Sequence, residues 1–270
     1  MNMEQYVKEY DTLEKKIVYD FRLGFGGIGD LTKFYMFLLN VCIKHKLKIH
    51  YLVNNIPAER YLKLVHPKMY ITKDVIRKSG SNCRNLNNDQ INDIASMNTF
   101  DYYFIAPFAL YKVFEYNDIT IPLNEIFYFT NEVITQSIIN KSNYISLHLR
   151  MGDKYLETDK AFVCCKEDTR SFNQADIDTF IERQLHLGKT IVFACDNNSF
   201  KQKMKKKYDK LVVTQFDIGH TSFANTTDSQ VLDTMKEFYV LANSEEIFMA
   251  SDSGFPRMAS KFYNIPISQV

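Results

Sequence analysis

The chain lacks an excess of charge of either sign. Its 270 residues include 33 basic and 32 acidic side chains, which leaves a formal net charge of +1. Proteins that bind nucleic acid or anionic membrane surfaces over a wide area normally carry a strong basic excess. The balance excludes broad binding of that kind, so we expect no nucleic-acid partner and anion binding only at a local site.

Long apolar segments are also missing. No hydrophobic run approaches the ~20 residues that a membrane-spanning helix needs. The N-terminal segment 1–16 has mixed charge and lacks the apolar centre of a secretion signal. We therefore expect a soluble, cytoplasmic protein that does not insert into a membrane.

Motifs for metals, redox chemistry and common hydrolases are absent from the sequence. The five cysteines have no paired metal spacing, Cys164–Cys165 is not a CxxC pair, and the histidines are scattered. There is also no Walker lysine motif and no GxSxG. These absences predict reduced thiols, no cofactor and no divalent metal.

What the chain does contain is an alternation of strand and helix patterns. Apolar segments of strand length occupy 16–22, 48–53, 101–106, 144–149, 189–195, 210–213 and 246–250. Helical patterns occupy 31–43, 58–65, 124–139, 174–187, 199–208, 231–242 and 255–263, and polar loops are expected at 79–89, 151–168 and 215–228. This order predicts an α/β protein with parallel strands. A boundary near 140–142 divides it into two Rossmann-like halves, residues 1–140 and 141–270.

The segment NYISLHLRMGDK, residues 143–154, joins a buried strand pattern to His148, Arg150 and Asp153. Open α/β sheets bind ligands at the carboxyl ends of their strands. A guanidinium there suits phosphate, because it stays charged and presents a planar fork of donors. Alternatively, Arg150 and Asp153 form only a local ion pair.

A glycine-rich turn, LGFGGIGD, follows the first strand pattern. Gly24, Gly26 and Gly29 match GxGxxG between a strand and a helix. The acidic residue that binds a dinucleotide ribose is missing, since Asn54–Asn55 follows the second strand, and this disfavours a nicotinamide-dependent oxidoreductase. The glycines still predict a tight turn and close approach of a ligand. Asp30 is either a helix cap or a carboxylate directed into a cleft.

The segment Ser251–Phe255 repeats the strand, turn and helix order in the second half. Ser253 and the amides of Gly254 and Phe255 are expected to face an anion at a helix N-terminus. Ordinary capping by a serine or by Asp252 is the alternative.

Two further polar groups are interpreted as structural. The lysine-rich segment 201–207 predicts a solvated helix face. Asp176 and Asp178 form a DxD sequence at a predicted helix start, where capping is expected and metal binding is not.

The segments GFGGIGD, HLRMGDK, ACDN, LDTMKEFYVLANSEEIFMASDSGF and ASKFYN, in this order, resemble the fucosyltransferase superfamily of GT-B fold. That superfamily includes α-1,2-, α-1,6- and protein O-fucosyltransferases and carries an H-x-R-R-x-D strand motif. His148, Arg150 and Asp153 match the motif, while Met151 replaces its second arginine. The resemblance is strongest in the C-terminal half and implies two Rossmann-like halves facing a cleft.

The resemblance also implies roles for individual residues. Arg150 is expected on the β-phosphate of the donor, His148 and Asp233 at the nucleobase, and Asp30 near the reacting hydroxyl. Glu157 is a second candidate for the catalytic base. The donor-binding set implied is Gly26, Gly27, His148, Arg150, Asp153, Asp196, Asp233, Ser251, Asp252, Ser253, Gly254 and Phe255.

These expectations describe an inverting, metal-independent glycosyltransferase that moves a sugar from a nucleotide-sugar donor to a glycan hydroxyl. Negative charge develops on the β-phosphate as the sugar leaves, and a fixed guanidinium stabilises that charge. GDP-fucose is the expected donor, and Met151 leaves a UDP-sugar such as UDP-xylose as an alternative. A non-catalytic nucleotide- or glycan-binding protein is the alternative from another class.

Overall fold

A computed structural model describes residues 1–54, 56–91, 93–137, 143–157, 167–221 and 223–270. The helices within these ranges are α1 (Met3–Glu9), α2 (Ile28–His45), α3 (Lys73–Lys78), α4 (Asn131–Gln136), α5 (Gln174–His186), α6 (Asn198–Lys207), α7 (Asp228–Ala242) and α8 (Gly254–Tyr263). The strands are β1 (Lys16–Arg22), β2 (Lys48–Asn54), β3 (Leu62–Leu64), β4 (Cys83–Asn85), β5 (Tyr102–Ile105), β6 (Phe127–Phe129), β7 (Ile145–Leu149), β8 (Ile191–Cys195), β9 (Val212–Val213), β10 (Ile247–Met249) and β11 (Ile267–Gln269).

Each half is built on a parallel sheet. In the N-terminal half the strand order is β2-β1-β5-β4, and in the C-terminal half it is β11-β10-β7-β8-β9. The central strands β7 and β8 are buried throughout, which matches their unbroken apolar sequence. The predicted α/β class and parallel strands are confirmed.

A small antiparallel pair of strands, β3 and β6, occupies parts of two segments that were predicted to be helical. Residues 58–65 form a 3-10 helix, Pro57–Arg60, followed by β3, and β3 pairs with β6 inside the predicted helix 124–139. The three-residue segments LKL and FYF alternate inward and outward, and aromatic residues suit strands. The predicted helices were wrong here because pairing between distant segments outweighed a local apolar pattern.

Two edge strands and one helix start also differ from the sequence prediction. β4 lies within the predicted loop 79–89, and β11 was not predicted. Asn173 caps α5, so Asp176 and Asp178 do not, and Asp178 instead accepts a hydrogen bond from Tyr208 at 2.8 Å. The predicted boundary near 140–142 and the Cys164–Cys165 pair lie outside the described residues.

The largest apolar cluster joins the two halves. Phe34 of α2 and Val133 of α4 belong to the same buried cluster as Phe238 of α7 and Phe262 of α8. The Phe129 and Phe262 rings stack with their centroids 4.5 Å apart. The last helices of the chain therefore fix the C-terminal sheet against the N-terminal half. No helix in the described ranges is both long and apolar enough to cross a membrane.

Candidate active site

A cavity of about 460 Å³ lies at the carboxyl ends of strands from both sheets. This volume is within the range of small-molecule sites. From the N-terminal half it is lined by the first turns of α2 and by Tyr111 and Tyr116. From the C-terminal half it is lined by the ends of β7 and β8, the turn before α8, and the segment 218–221. The cavity is thus lined by both halves, where the resemblance implied a cleft.

The N-termini of α2 and α8 meet at this cavity. A Cβ atom at Gly29 would lie only 2.8 Å from the carbonyl carbon of Gly254 and 3.0 Å from the amide nitrogen of Phe255. Only a glycine permits this approach, and the two helix ends bring partly positive amide groups to the same place. Gly29 is therefore explained by packing between the halves, without a dinucleotide.

Asp30 is not the cap of α2, because Gly27 holds that position and Asp30 lies in the first helical turn. The Asp30 carboxylate lines the cavity, where it accepts from Lys33 Nζ at 2.6 Å and from the Tyr111 hydroxyl at 3.3 Å. A Cβ atom at Gly26, whose φ is +126°, would overlap this carboxylate. The glycine turn thus makes room for Asp30 at the cleft.

Arg150 is held by two carboxylates. Its Nη1 lies 2.9 Å from Asp196 Oδ2, and its Nη2 binds Asp153. The predicted local ion pair is therefore present, and Asp196 adds a second one. Asp196 also accepts from the amides of Met151 at 2.8 Å and Gly152 at 3.1 Å, so it fixes the turn after β7 together with the guanidinium.

Ser251 connects this turn to the one before α8. Its Oγ accepts from the Arg150 amide at 2.9 Å and donates to the Arg150 carbonyl at 2.8 Å. Ser251 is buried and does not line the cavity. Its contacts set the position of Arg150 relative to the N-terminus of α8.

His148 is a buried, neutral imidazole beside the guanidinium. Its residue is 3% exposed, and its ring stacks on Phe255 with centroids 5.5 Å apart. Burial, followed by the charge of Arg150, lowers the pKa of His148 to about 3. Its Nδ1 has no hydrogen-bond partner among the described residues, although it is fully buried. His148 nevertheless lines the cavity.

The turn before α8 combines capping with exposure to the cavity. Ser253 caps α8 by accepting from the Phe255 amide at 3.3 Å, so the capping alternative holds for this serine. Asp252 accepts from Arg257 Nε at 2.8 Å. Ser253, Gly254 and Phe255 nevertheless all line the cavity, as Asp252 does.

Two residues with implied roles lie away from the cavity. The Glu157 carboxylate accepts from the amides of Asn198 at 2.8 Å and Ser199 at 2.9 Å, at the start of α6. Asp233 binds Lys236 and accepts from the Asp217 amide at 2.9 Å. Neither carboxylate lines the cavity.

Several cavity residues were not predicted from the sequence. Thr234 and Glu237 line the cavity from α7, and both are buried. Burial raises the pKa of Glu237, which pairs with Lys201 Nζ at 3.5 Å. Lys201 is fully buried, so the predicted solvated face does not include it.

The sequence signal that could have identified Thr234 and Glu237 is the presence of polar residues on the apolar side of the helical pattern 231–242. The other unpredicted lining residues are Ile28, Lys33, Tyr111, Tyr116, Asp168, Arg170, Ile218, Gly219, His220 and Thr221.

Within the part of the chain that the structure describes, no group of three or more His, Cys, Asp or Glu side chains is arranged to hold a metal ion.

No protein-family model and no curated protein sequence matches this chain. Its structure is similar to several solved fucosyltransferases. The α-1,6-fucosyltransferase NodZ of Bradyrhizobium, soaked with GDP-fucose, has a TM-score of 0.57 and 9% identity over 94% of both chains. An apo form of POFUT1 has a TM-score of 0.56 and 11% identity over 95% of this chain and 97% of its own. Arabidopsis thaliana FUT1, in complex with GDP, has a TM-score of 0.55 and 10% identity over 98% of this chain and 74% of its own.

At such low identity these similarities establish the fold. The chain has the two-domain, Rossmann-like GT-B fold of these fucosyltransferases. The GT-B prediction, which rested on a few short motifs, is confirmed.

Proposed function

We propose that this protein is a glycosyltransferase that moves fucose from GDP-fucose to a glycan hydroxyl, with inversion and without a divalent metal. One observation carries the proposal. Arg150 and the N-terminus of α8 line the cavity from the C-terminal half, and Asp30 lines the same cavity from the N-terminal half. A candidate leaving-group site and a candidate base, each from a different half of the chain, thus face one cavity of a size that suits a small molecule.

The leaving group is the diphosphate of the donor. Arg150 and the first amides of α8 supply fixed positive charge where the β-phosphate gains negative charge as its bond to the sugar breaks. These groups stabilise the transition state more than the ground state, which is the requirement for catalysis. The similar NodZ and POFUT1 structures obtained with GDP-fucose support this donor.

The nucleoside end of the donor is proposed to lie beside His148. The low pKa of His148 keeps the ring neutral at physiological pH, so the ring has one donor and one acceptor nitrogen for the nucleoside. The Phe255 ring stacked against His148 supplies an apolar surface. The resemblance implied that Asp233 contacts the nucleobase, but Thr234 and Glu237 line the cavity instead. These two residues are therefore proposed to contact the nucleobase.

Asp30 is proposed as the catalytic base. The acceptor oxygen bonds to the anomeric carbon, its proton passes to Asp30, and the electron pair of the breaking bond goes to the β-phosphate oxygen. Attack from the side opposite the leaving group inverts the anomeric configuration. Lys33 and Tyr111 orient the carboxylate through contacts of 2.6 Å and 3.3 Å. Asp30 is preferred to Glu157, whose carboxylate is already bound to two amides.

The segment that contacts Asp30 through Tyr111 carries exposed aromatic rings. Tyr111 donates to Asp30 and is more than half exposed, and Phe108, three residues earlier, is 61% exposed. The apolar face of a sugar ring fits against such a surface, so the glycan is proposed to enter here.

The test is transfer from GDP-fucose, compared with UDP-xylose, to an array of oligosaccharides, with products identified by mass spectrometry. We expect fucosylation that persists in EDTA and a product of inverted configuration by NMR. Asp30→Asn should abolish transfer while GDP still binds. Asp74→Asn is the matched control, since Asp74 also lies in a helical first turn but is exposed on α3. Retained configuration, or full activity of Asp30→Asn, would contradict the mechanism. Nucleotide binding without transfer would support the non-catalytic alternative.

A further inference from the structure

Positive charge at the proposed diphosphate site is largely neutralised within the protein. The Arg150 guanidinium is 18% exposed and is paired with both Asp153 and Asp196. Asp168 and Asp252 also line the cavity. A donor diphosphate adds further negative charge, and two adjacent phosphates offer more acceptor oxygens than one committed guanidinium can satisfy.

The strand that carries Arg150 has no second cation for this site. Met151 is buried in the apolar core of the C-terminal half, among residues such as Leu149 and Phe180. A second guanidinium must therefore come from another segment of the chain.

Residues 168–170 are laid against the turn after β7. The Arg170 amide donates to the Met151 carbonyl at 2.9 Å, and the Lys154 amide donates to the Asp168 carbonyl at 3.1 Å. Gly152 has a φ of +108°, and a Cβ atom there would lie 2.8 Å from Thr169 Cα. Only glycine satisfies both constraints, so the turn is shaped to seat this segment beside Arg150.

The Arg170 side chain lines the cavity and is less strongly ion-paired than that of Arg150. Its Nε lies 3.4 Å from Asp168 Oδ2, a long contact, and the side chain is 47% exposed. An exposed ion pair of this kind contributes little stability, so exchanging Asp168 for a phosphate costs little. Arg150 has no such freedom, because its carboxylate partners are mostly buried.

We propose that Arg170 is the second guanidinium of the donor site and binds the diphosphate beside Arg150. This inference rests on the proposed function, since it assumes a nucleoside diphosphate in the cavity. It assigns to a loop residue the charge that the strand lacks at Met151.

The test is isothermal titration of the full-length protein with GDP and with guanosine. Arg170→Gln should weaken GDP binding about 10-fold or more, because a charge-assisted contact is lost. Guanosine binding should not change, since guanosine carries no phosphate. The GDP affinity of Arg170→Lys should lie between those of the wild type and Arg170→Gln, because lysine keeps the charge and loses the planar fork of donors. Arg183→Gln, on the exposed side of α5, is the matched control and should bind GDP as the wild type does.

The variant Asp168→Asn removes the ion-pair partner of Arg170. It distinguishes phosphate binding by Arg170 from a purely structural role of the ion pair. If Arg170 binds phosphate, this variant should bind GDP at least as tightly as the wild type. If the pair only holds the segment in place, Asp168→Asn and Arg170→Gln should weaken binding alike, and the proposal is overturned. Equal GDP affinity of Arg170→Gln and the wild type overturns it as well, and leaves the proposed function standing. Failure of the wild type to bind any nucleoside diphosphate overturns both.

Discussion

At the scale of single residues, Arg150 combines the ion pairing predicted from the sequence with a place at the cavity, where phosphate binding is proposed. Its guanidinium forms ion pairs with Asp153 and Asp196, and the same side chain lines the cavity. The carboxylates hold the guanidinium in position before the ligand arrives, which lowers the cost of ordering it on binding. We therefore expect removal of Arg150 to affect both the stability of the fold and the proposed binding of a diphosphate.

Arg150→Ala should lower the free energy of unfolding by about 3 kcal/mol, because it leaves two mostly buried carboxylates without their partner. The double variant Arg150→Ala with Asp153→Asn should recover part of this loss and still fail to bind GDP. Urea denaturation and GDP titration of both proteins separate the two roles. Undiminished stability of the single variant would show that the ion pairs contribute nothing.

His148 makes stability depend on pH. Its pKa is about 3 in the folded protein, mainly through burial and then through Arg150 and Lys201, against a usual value of about 6.5. The unfolded chain binds more protons between these values, so stability is lost as pH falls below about 6.5. The share of His148 is about 2 kcal/mol between pH 6.5 and pH 5.

The variant His148→Asn should therefore lose less stability than the wild type between pH 6.5 and pH 5. Denaturation curves at several pH values measure the difference. The exposed His186, at the end of α5, provides the control variant His186→Asn, which should keep the wild-type slope. The account of His148 fails if both variants show the same dependence on pH.

At the scale of elements, the contact between the first turns of α2 and α8 determines the shape of the site. Gly29 lies against Gly254 so closely that a methyl group would meet the backbone of α8. The proposed base and the proposed phosphate site are carried by these two helices. This contact therefore fixes the distance between the proposed base on α2 and the first amides of α8.

Gly29→Ala should destabilise the protein by about 1–3 kcal/mol through overpacking. The sign of this stability change is informative. Where nothing obstructs the added methyl group, alanine is the better helix former by about 1 kcal/mol and would stabilise the protein. Gly27→Ala is the control, since its added Cβ would lie at an ordinary 3.6 Å from His220. Thermal denaturation of both variants tests this, and a stabilising Gly29→Ala would mean that the helix ends separate readily.

Elements with long, unbroken patterns could be predicted from the sequence, and short ones could not. β1 has the predicted bounds, and α7 and α8 begin within three residues of their predicted starts, because burial imposes a regular apolar period on them. β3, β4 and β6 have three residues each, which is too short for a period to register. Their pairing depends on partners that are distant in the chain.

At the scale of the whole molecule, the two halves share an apolar core as well as a cleft. α8 packs against α2 and α7 packs against α4, and Phe238 of the shared core contacts Phe255, which lines the cavity. The residues predicted at strand ends, His148, Arg150 and Asp196, do meet there, because parallel strands end at one edge of a sheet. Lys33, Arg170 and the segment 218–221 could not be predicted, since their place at the cavity depends on packing between segments without a periodic pattern.

The central claim is that this cavity binds the nucleoside diphosphate of a sugar donor. The most direct measurement is a thermal-shift titration of the protein with GDP, GDP-fucose, UDP, UDP-xylose and NAD at equal concentrations. Binding to the folded state stabilises it by about 2.7 kcal/mol at a ligand concentration 100 times the dissociation constant. We predict the largest rise in melting temperature with GDP and GDP-fucose, and no rise with NAD. No shift with any nucleoside diphosphate, or a shift with NAD alone, would contradict the account.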